Sequence, residues 1–109
     1  MKTALITGAK GQDAYYLTKL LLKKNYRVLL TTRKYDQTYF NQFIKSLNKL
    51  AIQDENIFIK EVDYLNFNSI NVFFDKYNIE EIYNLTGQSN VLFSFKSKKV
   101  SAEEPIIIF

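Results

Sequence analysis

Leu5-Ile6-Thr7-Gly8-Ala9-Lys10-Gly11-Gln12-Asp13-Ala14 is the stretch whose reading decides the fold. It starts inside a compact apolar run, Thr3 to Thr7, consistent with a buried strand. It then turns on two glycines in the spacing Gly-x-x-Gly-x-x-Ala. From Asp13 to Lys24 the apolar residues Leu17, Leu20 and Leu21 fall at i, i+3, i+4, the period of one helix face. A strand, a glycine turn and a helix in that order aim unpaired N–H groups and the positive end of the helix dipole at whatever lies above the turn. Gly8 is expected to make the tight turn and Gly11 to let a ligand come close to the backbone. Ala14 is small enough for the helix to pack on the strand. Gly8, Ala9, Lys10, Gly11, Gln12 and Asp13 therefore read as a cradle for the diphosphate of a dinucleotide, against the alternative of a glycine turn that binds nothing.

Outward from that turn the hydrophobic period keeps switching. Tyr26 to Thr32 reads as a second strand around Val28-Leu29-Leu30, and Phe40, Phe43, Ile44 and Leu47 mark a second amphipathic helix. Asn56 to Val62 gives a third strand, Ile70, Phe73, Phe74 and Tyr77 a third helix, and Ile79 to Leu85 a fourth strand ending at Thr86-Gly87. Strands alternating with helices imply parallel pairing through right-handed crossovers. The expected fold is α/β, half of a doubly wound parallel sheet of about four strands with alternating helices, forming one unit over residues 1–109. The end of the chain, Ser101-Ala102-Glu103-Glu104-Pro105 and then Ile106-Ile107-Ile108-Phe109, resembles the first turns of a further helix that would continue into a core. On that reading the chain is part of something longer; the alternative is an apolar end folded back as an edge strand.

Composition narrows the function classes. With no Cys and no His there is no disulfide framework, no thiolate or imidazole metal site, and no Ser-His-Asp or Cys-His arrangement. No apolar run approaches the roughly 18–20 residues of a membrane span, and the apolar N-terminal stretch is too short for a signal core, so a cytoplasmic location is expected. The net charge of +4 comes from basic residues spread along the chain, clustered only at Lys96, Lys98 and Lys99, which argues against a nucleic-acid stripe.

The second strand should choose the cofactor. An acid at its end would bind the ribose 2′-hydroxyl of NAD, and an Arg nearby would take the 2′-phosphate of NADP. The chain reads Leu30-Thr31-Thr32-Arg33-Lys34, two cations and no acid, with Asp36 two residues on. Arg33 can hold a phosphate bidentately and Lys34 adds charge, so NADP is favoured.

Ala4-Leu5-Ile6-Thr7-Gly8, then Gly11-Gln12-Asp13, then Tyr16-Leu17 is similar to the opening of the GDP-mannose 4,6-dehydratases, a family of extended short-chain dehydrogenase/reductases with a Rossmann-type sheet. Ile82-Tyr83-Asn84-Leu85, Gln88-Ser89 and then Val91, Ser94 and Phe95 resemble the same family's fourth-strand motif. The resemblance runs from Lys2 to about Phe95. It implies NADP held by Gly8 to Asp13 and by Arg33, with Asp63 and Tyr64 near the adenine. Leu85, Thr86, Gly87, Gln88 and Ser89 would line the ribose and nicotinamide side. The implied reaction oxidises the hexose of GDP-mannose at C4, eliminates water across C5–C6 and returns the hydride to C6, giving GDP-4-keto-6-deoxy-mannose. The likeness also leaves room for a homo-oligomer. The chain departs from the pattern at Ala14 (usually Gly), Tyr64 (commonly Leu), Asn90 (often His) and Val100 (a Tyr near the cofactor), and it matches weakly from Lys96 onward.

The family's Tyr-x-x-x-Lys pair and the Ser/Thr and Glu of its elimination step are expected beyond Phe109, so no catalytic residue is assigned here. Tyr15 and Lys19 have the right spacing, but they lie on the first helix, whose start faces phosphate, and such i, i+4 pairs are common on exposed helix faces. Two functional classes follow. One is the NADP-binding front part of a GDP-mannose 4,6-dehydratase-like lyase, inactive alone. The other is a stand-alone NADP-binding or protein-interaction module without chemistry.

Overall fold

A computed structural model describes residues 1–63, 65–66, 72, 76–86 and 107–108. They form β1 (Thr3–Thr7), α1 (Gln12–Lys23), β2 (Arg27–Thr32), α2 (Gln37–Lys49), β3 (Ile57–Glu61), β4 (Glu81–Asn84) and β5 (Ile107–Ile108). The sheet order is β3-β2-β1-β4-β5, and each neighbouring pair is parallel. The order reverses between β1 and β4, as expected of a doubly wound sheet.

The central strands lack polar alternation because neither face meets water: all five residues of β1 are buried, and five of the six in β2. One face packs Ala4, Ile6, Val28 and Leu30 against Ala14 and Leu21 of α1 and Phe40, Phe43 and Leu47 of α2. On the alternate positions Leu5, Leu29 and Ile82 are equally buried, and Phe58 meets Tyr77 at 5.9 Å between ring centres. Most of the expected third helix, including Ile70, Phe73 and Phe74, lies outside the described residues.

Two expectations are corrected. The buried stripe of α1 is Ala14, Thr18 and Leu21, while Leu20 is half exposed. Small side chains let the helix lie close on the sheet, and the Thr18 hydroxyl is satisfied by donating to the Ala14 carbonyl at 2.7 Å. At the far end, Ile107–Ile108 is no helix start but a short strand beside β4, with Glu81 opposite Ile107 and Ile82 opposite Ile108. β-Branched residues suit an open strand edge better than a helix.

Both helices end in the same way. The Tyr26 amide donates to the Leu21 carbonyl and the Asn25 amide to Leu22, with Asn25 at φ 65°. Likewise the Ile52 amide donates to Leu47 and the Ala51 amide to Asn48, with Ala51 at φ 60°. These are Schellman closures, and they turn the chain back toward the next strand. Among the described residues no helix is long and apolar enough to cross a membrane.

Candidate functional site

The strand order reverses between β1 and β4, so a crevice opens above their C-terminal ends. Gly8 sits at its floor with φ 75°, a conformation glycine adopts without penalty. A β-carbon there would lie 3.0 Å from the Leu85 carbonyl carbon and 3.1 Å from the Thr86 nitrogen, so the turn and the end of β4 touch backbone to backbone. Gly11 differs: it has φ −75°, and a β-carbon would meet only the Gly8 oxygen at 3.6 Å. Nothing in the described chain crowds Gly11, so any need for glycine there comes from what approaches from outside.

Polar bonds hold the two sides of the crevice in place. Thr7 stands opposite Asn84 in the sheet, and its hydroxyl donates to Asn84 Oδ1 at 2.7 Å. The Thr86 hydroxyl donates to the same oxygen at 2.7 Å. On the β2 side the Ala9 amide donates to the Thr31 carbonyl at 3.1 Å, and the Thr31 hydroxyl donates to the Ile6 carbonyl at 3.0 Å. The Ala9 amide is thus engaged within the fold. Gly11 is the N-cap of α1 and provides no side-chain cap, and among the described residues no backbone bond takes up the amides of Gln12 and Asp13. These are the orphan donors of a helix start.

The cavity above the turn has a volume of about 350 Å³ and is lined by Gly8, Lys10, Gly11, Thr32, Arg33, Leu85 and Thr86. Six of the expected residues meet here. Thr32 was not foreseen; its place follows from the end of β2 rising beside the turn. Gln12 lines a neighbouring cleft, Ala9 is buried, and Asp13 is exposed in the first turn of α1. Asp63 is exposed beyond β3, where its carboxylate accepts the Leu65 amide at 3.0 Å. Tyr64, Gly87, Gln88 and Ser89 lie outside the described residues.

Asp36 is committed elsewhere. Its Oδ1 accepts the Tyr39 amide at 3.0 Å, capping α2, and its Oδ2 lies 3.5 Å from Lys10 Nζ. The Tyr39 bond, with help from Lys10, holds the Asp36 carboxyl below its ordinary value. Arg33 is exposed and, among the described residues, makes no ion pair. Lys19 Nζ lies over the rings of Tyr16 and Tyr15, 5.2 and 6.0 Å from their centres, so the Tyr15 and Lys19 pair takes part in ring-face packing.

The family model for GDP-mannose 4,6 dehydratase matches residues 5–106. The chain belongs to the GDP-mannose 4,6-dehydratase family. It is 32% identical to the GDP-mannose 4,6 dehydratase of Dictyostelium discoideum over 105 residues, 94% of this chain and 29% of the relative. GDP-mannose 4,6 dehydratase 2 of Arabidopsis thaliana is 34% identical over 107 residues, 94% of this chain and 28% of the relative. This member of the family therefore spans a little over a quarter of the length of those relatives.

Solved structures share the fold at lower identity. UDP-glucose 4-epimerase from Bifidobacterium longum, in complex with NAD+ and UDP, superposes with a TM-score of 0.73 at 14% identity, covering 91% of this chain and 33% of that one. The yeast methylglyoxal/isovaleraldehyde reductase complexed with NADPH gives 0.65 at 19% identity, covering 97% and 37%. The GDP-mannose 4,6-dehydratase match and these neighbours agree on a Rossmann-type sheet.

Proposed function

We propose that this chain is the NADP-binding part of a GDP-mannose 4,6-dehydratase-type enzyme, and that the catalytic and sugar-binding groups are supplied by polypeptide outside it. The observation that carries this reading is the cavity joining Gly8, Gly11 and Arg33 at the reversal of the strand order. The diphosphate would lie against Gly11 and receive the Gln12 and Asp13 amides, reinforced by the α1 dipole. The 2′-phosphate would meet the Arg33 guanidinium at the end of β2. Asp36 is the N-cap of α2 and not part of the end of β2; its carboxylate accepts the Tyr39 amide and faces Lys10. These residues fit the cofactor's chemistry: donors for the diphosphate and a fork-shaped cation for an extra phosphate.

When bound, the nicotinamide supplies reversible hydride acceptance. The chain's own part is to bind and orient. Thr7, Asn84 and Thr86 fix the edge of the crevice beside which the nicotinamide half would lie, and Gly8 keeps that edge closed against the turn. Conversion of GDP-mannose to GDP-4-keto-6-deoxy-mannose belongs to the same proposal and rests on family membership.

Calorimetric titration of NADPH and NADH tests the cofactor reading. NADPH should bind more tightly. Arg33→Ala should weaken NADPH by tenfold or more, the loss of a charge-assisted contact of about 1.5–3 kcal/mol, and leave NADH within about twofold. Equal affinity of the unaltered chain for both would overturn the assignment of Arg33.

A further inference from the structure

Beside the turn cavity lies a larger cleft of about 450 Å³ between α1 and α2. Lys10 lines both, and so marks their junction. We infer that this cleft is a second site, separate from the dinucleotide crevice, for a mononucleotide whose base enters among Tyr15, Tyr16, Tyr39 and Phe43 and whose phosphate meets Lys10.

The cleft wall is largely aromatic, with Tyr16 its most exposed ring and Phe43 buried. Tyr15 meets Phe43 at 85° and Tyr16 at 74°, and Tyr39 is tilted 49° to Phe43, so none of these pairs is stacked face to face. Tyr16 is 51% exposed, which is more than a ring used only for core packing would show. Base–aromatic stacking tolerates any base, because each has a π-face. Gln12 and Gln42 bring side-chain amides and Ser46 a hydroxyl, groups that both donate and accept, as the edge of a base requires.

Charge decides between a nucleotide and a purely apolar guest. Lys10 stands at the junction, and Lys19 lies over the Tyr16 ring at 5.2 Å. The partner of Lys10 is Asp36, at 3.5 Å with both side chains more than two-fifths exposed, and such a pair is weak enough to exchange for a phosphate. The Tyr39 hydroxyl donates to the Lys10 carbonyl at 2.8 Å, so the ring and the cation are held next to each other. Tyr39 to Ser46 spans about 10 Å of helix, comparable to the reach from base to phosphate.

The test is an amide-shift titration of the full chain with AMP, with and without saturating NADPH, using adenosine and ribose 5-phosphate as controls. AMP should move the amides of Tyr16, Gln42, Phe43 and Ser46 in both conditions, and both controls should bind more weakly. Tyr16→Ala, a change at an exposed position, should weaken AMP roughly tenfold, the loss of one stacking ring. Cleft amides that do not shift at about 10 mM AMP overturn the inference. So do AMP shifts confined to Gly8, Gly11 and Arg33 that vanish when NADPH is present. Should NADPH leave Gly8 to Asp13 unmoved while AMP shifts the cleft, this site stands and the cofactor proposal fails.

Discussion

Gly8 and Gly11 look alike in the sequence and face different constraints in the fold. Gly8 combines a left-handed φ with a backbone contact at 3.0 Å from the position of a β-carbon, so an added methyl must strain the turn and push on β4 at once. Gly8→Ala should destabilise the chain by about 2 kcal/mol or more, read as a lower urea midpoint. Gly11 has an ordinary φ, and a β-carbon there would make only an ordinary contact, with the Gly8 oxygen at 3.6 Å. Gly11→Ala loses a preferred N-cap residue but restricts the unfolded chain, and the opposing effects should leave stability within about 0.5 kcal/mol. NADPH affinity should nevertheless fall, because the methyl stands where the diphosphate would come close. A Gly11→Ala variant that binds NADPH normally would remove the cradle reading. The sequence announced both glycines through their place between strand and helix. It could not separate a glycine required by the fold from one required by a ligand, since that depends on Leu85, far along the chain.

Element boundaries were legible where the period was strong. The first strand was read as it stands, Thr3–Thr7, and the second helix was seen from Phe40, Phe43 and Leu47, all of them buried. On α1 apolar character does not mark the buried face. The sheet selected Ala14 and Thr18 for their size and left Leu20 half exposed. The end of α1 lies within one residue of the expected Lys24, but the way both helices close was hidden, since Asn25 and Ala51 do so without the usual glycine. Ala51 is exposed and carries a β-carbon at φ 60°, a conformation that costs about 1–2 kcal/mol in an L-residue. Ala51→Gly relieves that strain and gives back part of the gain as unfolded-state entropy. The expected outcome is a stabilisation of about 0.5–1 kcal/mol by chemical denaturation, with the Ile52 to Leu47 bond retained. An unchanged or lower midpoint would show that the closure of α2 is not strained at Ala51.

Parallel pairing was legible from strands alternating with helices, but the strand order β3-β2-β1-β4-β5 and the polar tie inside the sheet were not. Glu81, 6% exposed, accepts the Tyr26 hydroxyl at 2.9 Å and the Tyr83 hydroxyl at 3.0 Å. Tyr26 leads into β2 and Glu81 begins β4, with β1 between them, so the bond spans three strands and depends on a register no local pattern reveals. The cluster sits at the strand starts, opposite the crevice, and its role is to hold the sheet together. Burial, and then the bond to Glu81, push the Tyr83 phenol up to about 12, while the Glu81 bond also raises Tyr26. A phenol of the unfolded chain ionises near 10, so between about pH 10 and 12 the folded chain holds protons that the unfolded one has lost. The stabilisation is therefore complete below pH 10 and is lost as pH rises toward 12. Urea midpoints taken from neutral pH upward should fall steeply across that window. Tyr83→Phe should start lower, by about 1 kcal/mol for the lost hydrogen bond to a buried carboxylate, and should fall less steeply, because one of the titrating phenols is gone. If the two curves ran parallel above pH 10, proton release would not be coupled to unfolding at Tyr83, and the Tyr83 phenol would have no part in the loss of stability at high pH.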